Sequence, residues 1–192
     1  LLKDLDYLVL AMHYYEDKKI LHDYSAYAVN NHERLARYTE VAIEAMNTKL
    51  FKIFAHPDIF MNGYRHLDEF GKECVRRICK AAIDNDVLLE VNAAGIRCGR
   101  TYEGKPFYPN DEFFKIVSET NAKVIINSDC HQVYELADEF VEQANQFAKE
   151  LQKTNPDFTI ALGNEIYLVE DREKGQKYYH FILIAKDEIG HK

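Results

Sequence analysis

The chain has no apolar run near the roughly 18 residues that a membrane-spanning helix requires. It also has no basic opening segment followed by an apolar stretch, so Leu1-Leu2-Lys3-Asp4-Leu5-Asp6 does not read as a signal peptide. No Met stands first, which fits a start inside a larger protein. The cysteines, Cys74, Cys79, Cys98 and Cys130, form no C-x-x-C pair, which removes zinc-finger chemistry and leaves disulfides unexpected. Cys74 and Cys79 fall on a predicted helix, where a buried thiol behaves as a small apolar side chain. These absences together read as a reduced, cytoplasmic protein without a membrane partner. There is no internal repeat and no low-complexity stretch. An excess of basic residues is missing too, since the net charge is −8. An acidic surface repels phosphate backbones, so nucleic acid is not expected as a partner unless contact is local or carried by a metal.

What is present is an ordinary globular composition, 47% apolar and 29% charged, over a length that can bury a real core. We read residues 1–192 as one domain. Apolar runs with strand character alternate with amphipathic stretches. Residues 7–12 (YLVLAM), 50–55 (LFKIFA), 87–91 (VLLEV) and 123–127 (KVIIN) read as strands. Residues 25–46, 67–84, 110–120 and 133–152 read as helices, with Asn110 a natural cap for the third. That alternation predicts an α/β fold with a mainly parallel, covered sheet. From Lys153 the pattern changes: residues 159–162, 165–169 and 178–185 read as strand around a charged turn, with no long helix.

Polar groups fall at corresponding places. His13, His56, Asn92 and the pair Asp129 and His131 each follow the C-terminal end of a predicted strand. In parallel α/β folds those ends gather at one face, which carries the site. In a strand, residues two apart point the same way, so Asp129 and His131 at this strand end would converge on one spot. A single His at a strand end is more often structural than a ligand, and His22, His32, His66, His180 and His191 receive only that reading. Joint occurrence at successive strand ends favours a metal site. Imidazoles mixed with carboxylates suit zinc, manganese or iron better than calcium or magnesium. Two or three such ions would supply a hydroxide and clamp the oxygens of a phosphoester. Arg97, in Asn92-Ala93-Ala94-Gly95-Ile96-Arg97, has the planar fork that holds a phosphate, or is a surface arginine. Tyr102 and Tyr108 would wall the pocket or merely pack.

The set formed by His13 after YLVLAM, FAHPD at 54–58, LLEVNAAGIR at 88–97 and NSDCH at 127–131 resembles the polymerase-and-histidinol-phosphatase (PHP) family. The likeness covers about residues 1–150 and is greatest to its histidinol-phosphate phosphatases. It implies a distorted (β/α)7 TIM-like barrel with two or three divalent ions, and hydrolysis of a small phosphomonoester. His13, His56, Asp129 and His131 would be metal ligands, with Asp129 and His131 also catalytic. Arg97 and Asn92 would be substrate contacts.

The family's opening His-x-His strand has no counterpart here. ALGNEIYLVED and YYHFILIAKDEIGHK, in the strand-rich segment 153–192, instead resemble an early PHP segment of bacterial DNA polymerase III alpha subunits. There a Gly-x-Glu motif supplies a bridging ligand, here Glu165, which is otherwise an ordinary edge-strand carboxylate. The order allows a permuted chain, a junction of two PHP domains, or segments joined out of order; one barrel with its early segment placed late is the reading taken. Two further functions stay open: a PHP module without catalysis beside a polymerase, and a 3′–5′ exonuclease.

Overall fold

The computed structural model describes residues 7–17, 20–24, 29–135, 138–169 and 178–184. In chain order its elements begin with β1 (Leu8–Ala11), a hairpin of β2 (Tyr14–Asp17) and β3 (Ile20–Tyr24), α1 (His32–Asn47), β4 (Phe51–Ala55) and a short α2 (Met61–Tyr64). Next come α3 (Glu69–Asn85), β5 (Leu88–Asn92), the single turn α4 (Ala93–Arg97), a small hairpin of β6 (Thr101–Tyr102) and β7 (Lys105–Pro106), and α5 (Asp111–Ser118). β8 (Val124–Asn127), a 3-10 turn at Val133–Glu135, α6 (Glu139–Thr154), β9 (Ile160–Val169) and β10 (Tyr178–Ile184) complete it.

The fold is α/β. One six-stranded sheet has the order β1-β4-β5-β8-β9-β10. Its first five strands are parallel, and β10 returns antiparallel along β9. Spatial order follows chain order, without the reversal that marks a doubly wound sheet. Right-handed crossovers then put successive helices side by side on one face. The contacts agree: α1 packs on α3, α3 on α5 and α5 on α6. All four residues of β8 are buried, which is why Val124-Ile125-Ile126-Asn127 reads as a continuous apolar run rather than an alternating one. Leu35, Tyr38, Ala42 and Met46 of α1 meet Val75, Ile78 and Cys79 of α3 in the core, and Phe113 and Phe114 extend it beneath α6. Burial pushes the Cys79 thiol up to about 12, so it behaves as an inert small apolar group. Among the described residues no helix is long and apolar enough to cross a membrane.

Caps set several boundaries more tightly than periodicity did. Of the helix expected over 25–46, α1 begins at His32, because Asn31 is extended and its side chain accepts from Arg34 N, and residues 25–28 lie outside the described residues. The helix expected over 133–152 is broken: a 3-10 turn ends at Glu135, and α6 begins after Asp138 accepts from Phe140 N and Val141 N. Asn110 does cap α5, accepting from Glu112 N and Phe113 N. The hairpin of β2 and β3 was not anticipated, and the two strands expected over 159–169 are one continuous β9.

Candidate functional site

β1, β4, β5 and β8 are parallel, so the residues that follow them share one rim of the sheet. His13 and His56 meet there, their Nε2 atoms 3.1 Å apart and their ring centres 4.9 Å apart. His56 leaves β4 with φ of +33°, a left-handed turn in front of Pro57, whose ring disfavours the right-handed helical region for the residue before it. The His56 ring is buried, and its Nδ1 has no hydrogen-bond partner among the described residues. Burial lowers its pKa to about 4, with the nearby Asp129 opposing and His13 adding to the fall. His56 is therefore neutral at pH 7, the form in which imidazole binds a metal.

A buried carboxylate that the sequence reading passed over organises this rim. Glu90, in β5, is 1% exposed. Its Oε2 accepts from His56 N at 2.7 Å and from Asn92 Nδ2 at 2.8 Å, and its Oε1 accepts from Asn127 Nδ2 at 2.7 Å. Burial, then the neighbouring Asp129, raises its pKa to about 8, against the three donors aimed at it. The signal was available as an acid inside the apolar run VLLEV. Asn92 carries the network outward: Nδ2 also donates to Asp129 Oδ2 at 3.1 Å, while Oδ1 accepts from Gly95 N at 3.2 Å. Asp58 is fully buried, with Oδ2 accepting from Asn110 N at 2.6 Å and Oδ1 lacking a partner among the described residues. Burial lifts its pKa to about 7.

The structure thus gathers His13, His56, Asn92 and Asp129. His131 also lies beside Asp129, but by a different backbone route from the one expected. β8 ends at Asn127, and Asp129 has φ of +47°, so the alternation that would align residues 129 and 131 does not operate. The His131 side chain is 65% exposed and its Nδ1 lies 3.9 Å from Asp129 Oδ1. Glu165 lies on β9, three residues beyond Leu162, which pairs with Ile126 of β8; its side chain is outside the described residues. The same holds for the side chains of His22 and His180, and for all of His191.

Arg97 points back into the protein. Nε donates to Asp138 Oδ2 at 2.6 Å, Nη1 to Ser128 O at 3.0 Å, and Nη2 to Ser128 Oγ and Glu135 O, both at 3.2 Å. Tyr108 stands edge-on to His56 at 6.3 Å between ring centres. Its approach depends on Gly95, where a Cβ would lie 2.1 Å from Tyr108 O. Tyr102 packs farther out, beside His66, Phe107 and the Arg65 guanidinium. His32 and His66 are hydrogen-bonded to Asp68 and Glu112 and border an open groove of about 830 Å³ at the N-terminal ends of α1 and α3.

Among the described residues no group of three or more His, Cys, Asp or Glu side chains stands ready to hold an ion. The His13 and His56 pair nevertheless has suitable chemistry. Two nitrogens bound to one tetrahedral zinc, each about 2.05 Å away, are about 3.3 Å apart, close to the 3.1 Å separating these two. The chain matches no protein-family model and no curated protein.

Proposed function

We propose that the chain is a metal-dependent phosphoesterase that hydrolyses a small phosphomonoester, of the histidinol-phosphate phosphatase type. One observation carries the reading. Two imidazoles from neighbouring parallel strands face each other at 3.1 Å, one of them buried and neutral, with the Asp129 carboxylate beside them. The consecutive strand order and the packing of successive helices support a distorted (β/α)7 barrel of the PHP kind, of which the described residues supply six strands in an open sheet, five parallel and β10 antiparallel. The His13 and His56 pair would hold zinc, manganese or iron, with Asp129, His131 and Glu165 as the further proposed ligands. A bound ion of this kind supplies a hydroxide at neutral pH and charge for the phosphoryl oxygens.

The chain's own residues prepare that site. Glu90 fixes the His56 backbone, and Asn92 orients Asp129 by donating to its Oδ2. Tyr108 stands edge-on beside the His56 ring. Asp129, a quarter exposed, is the group placed to exchange a proton with substrate or solvent. The test is phosphate release from histidinol phosphate with manganese or zinc supplied. Release that depends on added metal and disappears in His56→Ala supports the reading, and no release from this or any simple monoester overturns it.

One observation favours a second reading, a PHP module without catalysis. His131 faces solvent, and the described side chains do not assemble three ligands. Elemental analysis separates the two: protein that binds no metal, and folds unchanged as His56→Ala/Asp129→Ala, is a scaffold.

A further inference from the structure

Arg97 is the residue whose environment differs most from what a substrate contact needs. A guanidinium has five N–H donors, and four of them are used inside the chain, on Asp138, on Ser128 twice and on Glu135. Its side chain is 14% exposed, that of Asp138 is 17% exposed, and the Cζ lies 5.8 Å from the centre of the Phe140 ring. One N–H is left, so a phosphate held by two of them would have to displace a contact of this part-buried charge pair or of the two carbonyls. Every one of those acceptors belongs to the segment that carries Asp129 and His131 or to the cap of the next helix. Glu135 closes that segment from its other end. Its Oε2 accepts from His131 N at 2.7 Å and Gln132 N at 3.1 Å, and its carbonyl accepts from Ser128 Oγ at 2.6 Å. Between the two anchors Asp129 has φ of +47°, a conformation costly for a residue with a Cβ and maintained only when its surroundings hold it.

We propose that Arg97 is a positioning residue: it latches the loop from Ser128 to Glu135 onto α4 and the start of α6, and so holds Asp129 in its left-handed conformation at the rim. It acts through that loop and does not bind phosphate. The catalytic part of this statement rests on the phosphoesterase reading, whereas the latch itself does not. Lysine cannot replace the fork, because a single ammonium cannot reach Asp138, Ser128 and Glu135 in one plane.

The experiment compares wild type with Arg97→Met, Arg97→Lys and the milder Ser128→Ala. Amide hydrogen exchange of His131 and Gln132, manganese affinity by calorimetry, and kcat and KM for histidinol phosphate are measured on each. Arg97→Met is expected to lose at least tenfold in protection of those two amides, at least tenfold in manganese affinity and at least tenfold in kcat, with KM within twofold. Arg97→Lys should recover little, and Ser128→Ala should show smaller losses in the same direction. A tenfold rise in KM with unchanged amide protection and metal affinity would identify a phosphate contact and overturn the proposal. If Arg97→Met does not fold, Arg97→Lys and Ser128→Ala decide by the same measurements. If wild type neither binds manganese nor releases phosphate, the enzyme reading fails, and the amide protection still confirms or refutes the latch.

Discussion

Glu90 joins three neighbouring strands through one carboxylate, and exchanging its chemistry with that of Asn127 tests whether the joint matters. In Glu90→Gln the amide oxygen can occupy the Oε2 position and keep the His56 and Asn92 donors. Its NH2 then faces the Asn127 NH2 across what is now a 2.7 Å hydrogen bond. Protonation of Glu90 does not remove this conflict, because a carboxyl oxygen carrying a proton still has a lone pair for Asn127 and an amide nitrogen has none. A lost hydrogen bond with a buried donor left unsatisfied costs about 2 kcal/mol. Above the Glu90 pKa of about 8, Asn127→Asp alone sets two carboxylate oxygens against each other and costs at least a similar amount (about 2 kcal/mol). In Glu90→Gln/Asn127→Asp the amide again donates to an oxygen, with the carboxylate moved from one strand to the next. Urea unfolding at about pH 9, where Glu90 is ionised, reads this directly. With m near 2 kcal/mol/M, each single variant should lower the midpoint by about 1 M, and the double variant should recover at least half of the summed loss. Single effects that add within about 0.5 kcal/mol would refute the account of Glu90 as a shared acceptor.

Gly95→Ala should be costly because the new Cβ would lie 2.1 Å from a backbone oxygen of Tyr108, not from a movable side-chain tip. A loss of about 2 kcal/mol, seen as a fall in Tm of about 6 °C, is expected, and a fall below about 1 °C would show that the loop yields freely. Asp68 caps α3, and its pKa is lowered to about 2 chiefly by the Gly71 N–H and then by His32. A lowered carboxylate pKa contributes stability that is complete above its unfolded value and lost as pH falls through the folded one. The stability gap between wild type and Asp68→Ala should therefore be widest near pH 6 and close toward pH 2 in urea titrations, and a gap that stays constant would contradict the cap. Zinc or manganese at a hundredfold excess over its Kd should stabilise wild type by about 2.7 kcal/mol. His13→Ala should lose that rise in a thermal shift, and an equal rise in both proteins would remove His13 from the ligand set.

Much of the architecture was legible because periodicity and burial agree. β8 reads as a buried strand from Val124-Ile125-Ile126 alone, and it is buried throughout. Helix starts were harder. Helical spacing gives no sign of a boundary before Leu35, yet Asn31 caps α1 with its own side chain, and there local hydrogen bonding outweighs periodicity. At 133–138 the same competition appears in stronger form. Glu135 and Asp138 are spent on holding the loop and Arg97, so one helix could not run through them. Composition gives no warning of such tertiary demands on a polar side chain.

The rim shows the same division between what spacing reveals and what folding adds. His13, His56, Asn92 and Asp129 were found because each follows a strand, and parallel strands bring such positions together whatever the intervening sequence. His131 does come within 3.9 Å of the Asp129 carboxylate, but by a loop in which Asp129 is left-handed rather than by the strand alternation expected there. Glu90 was missed for the opposite reason: its side chain faces into the protein, where a strand pattern leads one to expect only apolar groups. Yet that inward carboxylate ties the end of β4 to β5 and β8, and through Asn92 it reaches Asp129. A site that must hold imidazole and carboxylate to within fractions of an ångström needs such support on rigid elements. The residue least suited to its strand by hydropathy is thus the one that makes the strand ends a single surface.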